Sequence, residues 1–182
     1  MPVSLPRSSS CSSLAQVLDK NKKLFEEKLG CYNGPPVNFS VHTKAKFCKT
    51  RPVLYALQPR VETARKKMEA DGVIESTSIA SSAAPIVPVA KKNSNEVCVC
   101  GDFSVTFNEC ADVYTYPIPK IEDLHGALRG CTWLSILDMS RAYHQVPIAV
   151  DSQKHLLVNT HIGLFAFKRM PFGIQPGPTE SD

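Results

Sequence analysis

The sequence predicts an α+β fold, because helix signals concentrate before residue 72 and strand signals after it. Apolar residues recur at helical spacing over 14–29 and 59–71. By contrast 85–90, 97–101, 133–137, 155–160 and 164–169 are short apolar runs bounded by turn-forming residues. The 182 residues are 43% apolar and 21% charged, which is enough to bury a core and too apolar for a disordered body.

Each element has a local reason. Residues 1–13 are Ser/Pro-rich and read as a flexible lead-in. Ser12 or Ser13 caps a first helix carrying Leu14, Val17, Leu18, Leu24, Phe25 and Leu29, with Gly30 as its stop. Residues 31–57 form an extended, Pro-punctuated arm bearing Lys44, Lys46, Lys49 and Arg51. Pro59 opens a second helix reaching Asp71, with Val61, Ala64 and Met68 on one side and Arg65, Lys66 and Lys67 around the other. Strands at 85–90 and 97–101 make a hairpin with a basic tip, KKNSNE. Residues 116–130 read as a short helix entered through Pro117 and Pro119, with Ile121, Leu124 and Leu128 as its buried stripe. A strand at 133–137 runs into Asp138, a short helix covers 139–145, and 155–160 and 164–169 flank a second hairpin turn at His161-Ile162-Gly163. No internal repeat and no Gly-rich phosphate loop occur.

Charge is unevenly shared. Residues 1–70 carry 13 Lys/Arg against 5 Asp/Glu, and residues 71–182 carry 8 against 12. A basic front half suits contact with a polyanion, and equally a solvated helix and loop. The seven cysteines include no CxxC pair, so zinc ligation by motif is not supported and reduced thiols in a reducing compartment are expected. No apolar run approaches a membrane span, and the first 13 residues lack the hydrophobic stretch of a signal peptide. An intracellular chain, cytoplasmic or nuclear and neither secreted nor bound to membrane, is the expectation.

The most informative segment is 133–146, WLSILDMSRAYHQV. A carboxylate at the end of an apolar strand, just before a turn, is well placed to hold a hard divalent cation, although a strand-end Asp also serves as a helix cap. LDMSRAYHQV resembles the first catalytic motif of gypsy-type LTR-retrotransposon reverse transcriptases. Further segments resemble that family in order and spacing: Arg51-Pro-Val, Gly72-Val-Ile-Glu, Ala84-Pro-Ile-Val-Pro-Val-Ala-Lys-Lys, Cys100-Gly-Asp-Phe, Tyr116-Pro-Ile-Pro-Lys, Asn159-Thr-His-x-Gly-Leu-Phe and Met170-Pro-Phe-Gly-Ile. The resemblance covers about residues 45–178, after a lead-in (1–13) and a helix and linker (14–44), and leaves a divergent tail at 179–182.

The resemblance implies the fingers and an incomplete palm of a right-hand polymerase. It implies that Asp138, with the Met139 carbonyl nearby, is the first ligand for Mg²⁺ or Mn²⁺. It puts Tyr143 under the incoming sugar, Phe172 near the ribose and template base, and Lys91 and Lys92 on the fingers hairpin near phosphate. Lys44, Lys46, Lys49, Arg51, Arg65, Lys66 and Lys67 would add non-specific contact to an RNA/DNA template-primer. His144 and His161 fit the pattern without a chemical role. The implied partners are template-primer and dNTP, and in a parent element the protease, ribonuclease H and integrase domains.

Departures from the family shape the functional expectation. Its two further aspartates, adjacent in a Tyr/Phe-x-Asp-Asp turn, do not occur among these residues, nor does the upstream Asp-Thr/Ser-Gly protease signature. Cys98 and Ser104 stand where the family often has basic residues, and Ser181 and Asp182 stand where it has Phe and Gln. One carboxylate cannot hold two divalent ions for in-line displacement. The expectation is a polymerase-derived chain inactive alone and binding no metal tightly, with a marginally stable fold. The alternatives are a non-catalytic nucleic-acid-binding remnant and a pseudogene product without function.

Overall fold

The computed structural model describes residues 14–43, 46–91, 96–112 and 120–175. Its centre is a five-stranded sheet in the order β1-β5-β4-β2-β3, built from β1 (Ile74–Thr77), β2 (Ala84–Ala90), β3 (Val97–Gly101), β4 (Leu157–Thr160) and β5 (Gly163–Phe167). Neighbours pair antiparallel except β2 and β4, which run parallel through Ala84 opposite Val158 and Pro85 opposite Asn159. Helix α2 (Gln58–Ala70) packs against β3 and β1 and buries Val61. Mixed helix and sheet is the fold class the sequence predicts.

Both hairpins form where the turn chemistry puts them. In β2 the sequence APIVPVA changes from buried to exposed along its length, because pairing with β4 stops at Pro85 and the strand continues with β3 as its one neighbour. Pro88 is tolerated there because a strand with one neighbour leaves half its backbone groups without a ladder to serve. The β2–β3 ribbon therefore projects from the sheet. Helix α2 starts with Pro59 in its first turn, and Gly72 stands just past its end, with a φ of +68° that only glycine adopts without strain.

The extended arm crosses the molecule instead of lying loose on it. Val37 bridges Ile148, Val41 bridges Ala111 and Phe47 bridges Ala83. The Phe39 amide donates to Ser152 Oγ at 2.9 Å, and Val37, Phe39 and Val53 join the core around Val73, Ile86, Phe103, Phe107, Leu156, Phe165 and Phe167. Phe39 meets Phe107 edge-on at 5.3 Å, and Phe103 meets Phe167 at 6.0 Å.

Four local expectations need correction. The first helix is shorter than its periodicity suggests: α1 covers Leu14–Lys20 and a 3₁₀ turn follows at Lys22–Phe25. The Asn21 side chain donates to the Val17 carbonyl at 2.8 Å, so it competes with the backbone where the helix would continue. The second correction is α3 (Ile121–Ala127), which exists but leaves Ile121, Leu124 and Leu128 exposed. Residues 116–119 of the expected helix lie outside the described residues.

The third correction is the expected strand at 133–137, which is irregular, with Trp133 92% and Ile136 94% exposed. An apolar run becomes a strand only when a neighbour accepts and donates its ladder bonds, and no described strand is its partner. The helix expected at 139–145 is a single 3₁₀ turn, Ala142–Gln145. No described helix is long and apolar enough to cross a membrane.

Candidate functional site

A cavity of about 450 Å³ opens between α2, the projecting ribbon and the turn that carries Arg141. One stripe of α2 supplies its first wall. Arg60, Ala64, Lys67 and Asp71 recur at the three-to-four-residue spacing that puts side chains on one helix face. Lys91, Glu96, Val97 and Cys98 come from the ribbon, and Arg141, His144 and Phe172 close the far side. Four cations thus face two carboxylates.

Two ion pairs occupy the rim. Arg141 Nη1 donates to Asp71 Oδ2 at 2.5 Å, and Lys91 Nζ to Glu96 Oε2 at 2.6 Å. The Lys91 hydrogen bond, then the Lys91 and Lys67 charges, hold the Glu96 carboxyl below its ordinary range. Arg60 and Lys67 make no salt bridge among the described residues. The cavity keeps net positive charge, which favours an anion.

Arg141 reaches its place through a left-handed backbone, φ +52°, at the start of the 3₁₀ turn. That turn presents Tyr143 outward and His144 inward. Phe172 meets both edge-on, at 5.3 Å from Tyr143 and 5.0 Å from His144. Burial, followed by the Arg141 charge, lowers the His144 pKa, so the imidazole is held neutral.

The sequence-predicted residues divide by position. Tyr143 and Phe172 lie together, and Phe172, Lys91 and Lys67 share the cavity. Lys44 and Lys92 lie outside the described residues. Lys46 pairs with Glu109 at 2.8 Å, Arg51 with Asp102 at 2.6 Å, Arg65 with Glu69 at 2.7 Å and Lys66 with Glu62 at 3.3 Å. Lys49 is exposed. Asp138 and Met139 stand on the exposed irregular stretch before the 3₁₀ turn. Asp102 also accepts from Ser104, which with burial opposing and Arg51 assisting holds its carboxyl low. Sequence reasoning missed Arg60, Asp71, Glu96 and Arg141, although the spacing of 60, 64, 67 and 71 carried the signal for the helix wall.

No protein-family profile matches the chain. An uncharacterized protein of Caenorhabditis elegans is 34% identical over 172 residues, 92% of this chain and 14% of that protein. The retrovirus-related Pol polyprotein from transposon 297 of Drosophila melanogaster is 28% identical over 142 residues, 76% of this chain and 13% of its own length. An RNA-directed DNA polymerase homolog of Oenothera berteroana is 41% identical over 59 residues, 32% of this chain and 42% of its own length. The chain is a relative of retrotransposon Pol polyproteins.

The fold agrees with that kinship. A crystal structure of prototype foamy virus protease-reverse transcriptase superposes with a TM-score of 0.77 at 16% identity, covering 88% of this chain and 22% of the other. The foamy viral protease-reverse transcriptase in complex with RNA/DNA hybrid gives 0.72 at 18% identity over 90% of this chain and 22% of its own. The Pol-related chain therefore has a reverse-transcriptase-like fold and spans under one third of these structures and about one seventh of the first two relatives.

Among the described residues no group of three His, Cys, Asp or Glu side chains is placed to hold a metal ion. Asp138 is therefore not part of such a group among the described residues.

Proposed function

We propose that this chain is the fingers and part of the palm of an RNA-directed DNA polymerase, and that its cavity receives the triphosphate of an incoming nucleotide. The observation that carries this reading is the cavity's lining: Arg60, Lys67, Lys91 and Arg141 around one opening, with Phe172 as an apolar wall. Tyr143 stands edge-on to Phe172, where an aromatic pair can flank a sugar. Of the basic residues that the family resemblance singled out on the arm and α2, Lys49 and Lys67 are exposed and without a salt bridge among the described residues, which leaves their charge free for an RNA/DNA backbone. Nucleotidyl transfer is not assigned to this chain alone, since among the described residues Asp138 joins no group of three metal-ligating side chains, and a two-metal displacement needs several carboxylates.

Calorimetric titration of the full chain with dTTP at low salt tests the reading, alongside primer extension on poly(rA)/oligo(dT) with Mg²⁺. Saturable, salt-sensitive binding without incorporation is expected. Absence of binding would refute the cavity assignment. Incorporation that disappears in Asp138→Ala would refute the non-catalytic assignment.

A further inference from the structure

Cys98 and Cys100 alternate with Val97, Val99 and Gly101 along β3, so both thiols project from the ribbon face opposite those three residues. Their Sγ atoms are 3.6 Å apart and both side chains are partly exposed. We propose that Cys98 and Cys100 form a dithiol clamp that captures a trivalent organoarsenical.

The alternatives fit less well. A disulfide needs its sulfurs at about 2.05 Å and Cα atoms no more than about 6.8 Å apart, and residues two apart on a strand sit near that limit at about 6.6 Å. The backbone of the paired ribbon would have to distort to close the remaining gap. A structural zinc site takes four ligands, and no third donor joins this pair among the described residues. Two thiolates on one trivalent, pyramidal arsenic, with bonds of about 2.3 Å and an angle of about 100°, stand about 3.5 Å apart. The observed separation is close to that bite. An arsenical with two exchangeable positions is satisfied by two thiols alone.

The chemistry balances without an oxidant or reductant. An arsenoxide, R–As=O, reacts with two thiols: two As–S bonds form, both S–H protons leave with the oxide oxygen as one water, and arsenic remains trivalent. Cys98 attacks first. A hydrogen bond from the Cys100 thiol lowers its pKa to about 6 against the opposing effect of burial, and the Lys91 charge adds to the lowering. Cys100, whose thiol is held protonated by the same contact and by burial, closes the ring second.

The test is intact-mass analysis of the full chain, reduced with a phosphine and treated with phenylarsine oxide. One arsenical per chain is expected, with loss of one water. The adduct should survive excess 2-mercaptoethanol and be removed by ethanedithiol, because only a dithiol matches the chelate. Cys98→Ser and Cys100→Ser should each lose the resistant adduct, whereas a variant with both Cys31→Ser and Cys131→Ser keeps it. Tryptic mapping of the unmodified sequence gives a readout independent of variant folding, and fragmentation of the peptide that follows Lys92 should place the arsenical on Cys98 and Cys100 and leave its third cysteine, Cys110, unmodified. A resistant adduct that persists in Cys98→Ser, maps to another peptide, or never forms overturns the proposal. Because the readout is mass, its failure is separable from failure of dTTP binding.

Discussion

Replacing Arg65 with alanine, and separately with methionine, distinguishes a cation that holds the fold from one that meets a ligand. Its guanidinium lies 5.1 Å from the Phe165 ring centroid, Nη1 donates to Glu69 at 2.7 Å, and the side chain is 14% exposed. A largely desolvated cation–π contact contributes about 1–2 kcal/mol. The helical ion pair adds about 0.4 kcal/mol, and the buried stem about 1 kcal/mol. Against these, Nε is buried without an acceptor, a cost of about 1 kcal/mol that substitution removes. Arg65→Ala should therefore lose about 2 kcal/mol, or about 4–8 °C in Tm at this chain length. Arg65→Met keeps the stem and should lose no more than about 1 kcal/mol. Urea denaturation followed by circular dichroism measures both, and fluorescence anisotropy on a labelled RNA/DNA hybrid should give affinities within about twofold of the parent for the methionine variant. A methionine variant of parental stability that binds the hybrid tenfold more weakly would show that Arg65 touches nucleic acid, and the burial argument would fall.

Three further outcomes follow from the same packing and charges. Phe107→Ala removes a wholly buried ring packed edge-on against Phe39, so a loss of about 4 kcal/mol and a sharply lower soluble yield are expected, read from the urea midpoint. His144 is buried, and burial holds its pKa below the ordinary imidazole value of about 6.5, so the unfolded chain binds the extra proton first. Stability should be intact above about pH 6.5 and decline as pH falls through the lowered folded value, and His144→Leu should flatten that part of a stability–pH series. Arg60→Ala and Lys67→Ala each remove one exposed charge from the cavity. Each should weaken dTTP binding about fivefold, the equivalent of about 1 kcal/mol for a solvated charge pair near 4 Å, with a shallower salt dependence; unchanged titrations would place the anion elsewhere.

Elements that depend on local chemistry were legible in the sequence. Pro59 and Gly72 bracket α2, and the two hairpins lie on either side of their turn residues. Elements that depend on a distant partner were not. The run at 133–137 has strand composition, yet composition cannot supply the neighbour that would accept its hydrogen bonds. The candidate site shows the same division. Arg65, Lys66 and Lys67 read as one basic cluster, but successive helical residues turn by about 100°, so the three cannot act together. Arg65 lies over Phe165, Lys66 reaches Glu62 at the surface, and Lys67 faces the cavity. Arg141 escaped notice because its role depends on a left-handed turn that brings it to Asp71, seventy residues earlier.

The strand order also dictates a sequence of events during synthesis. The β2–β3 ribbon pairs within a short stretch and can close as soon as Gly101 emerges. Ile74 must wait for Phe167 and Ala84 for Val158, so most of the sheet cannot assemble until nearly all the described chain has left the ribosome. Closing such long loops is slow compared with a local hairpin. Until then, Val61, Val73 and Ile86 have no sheet to cover them, and the nascent chain depends on that interval being short or shielded by a chaperone.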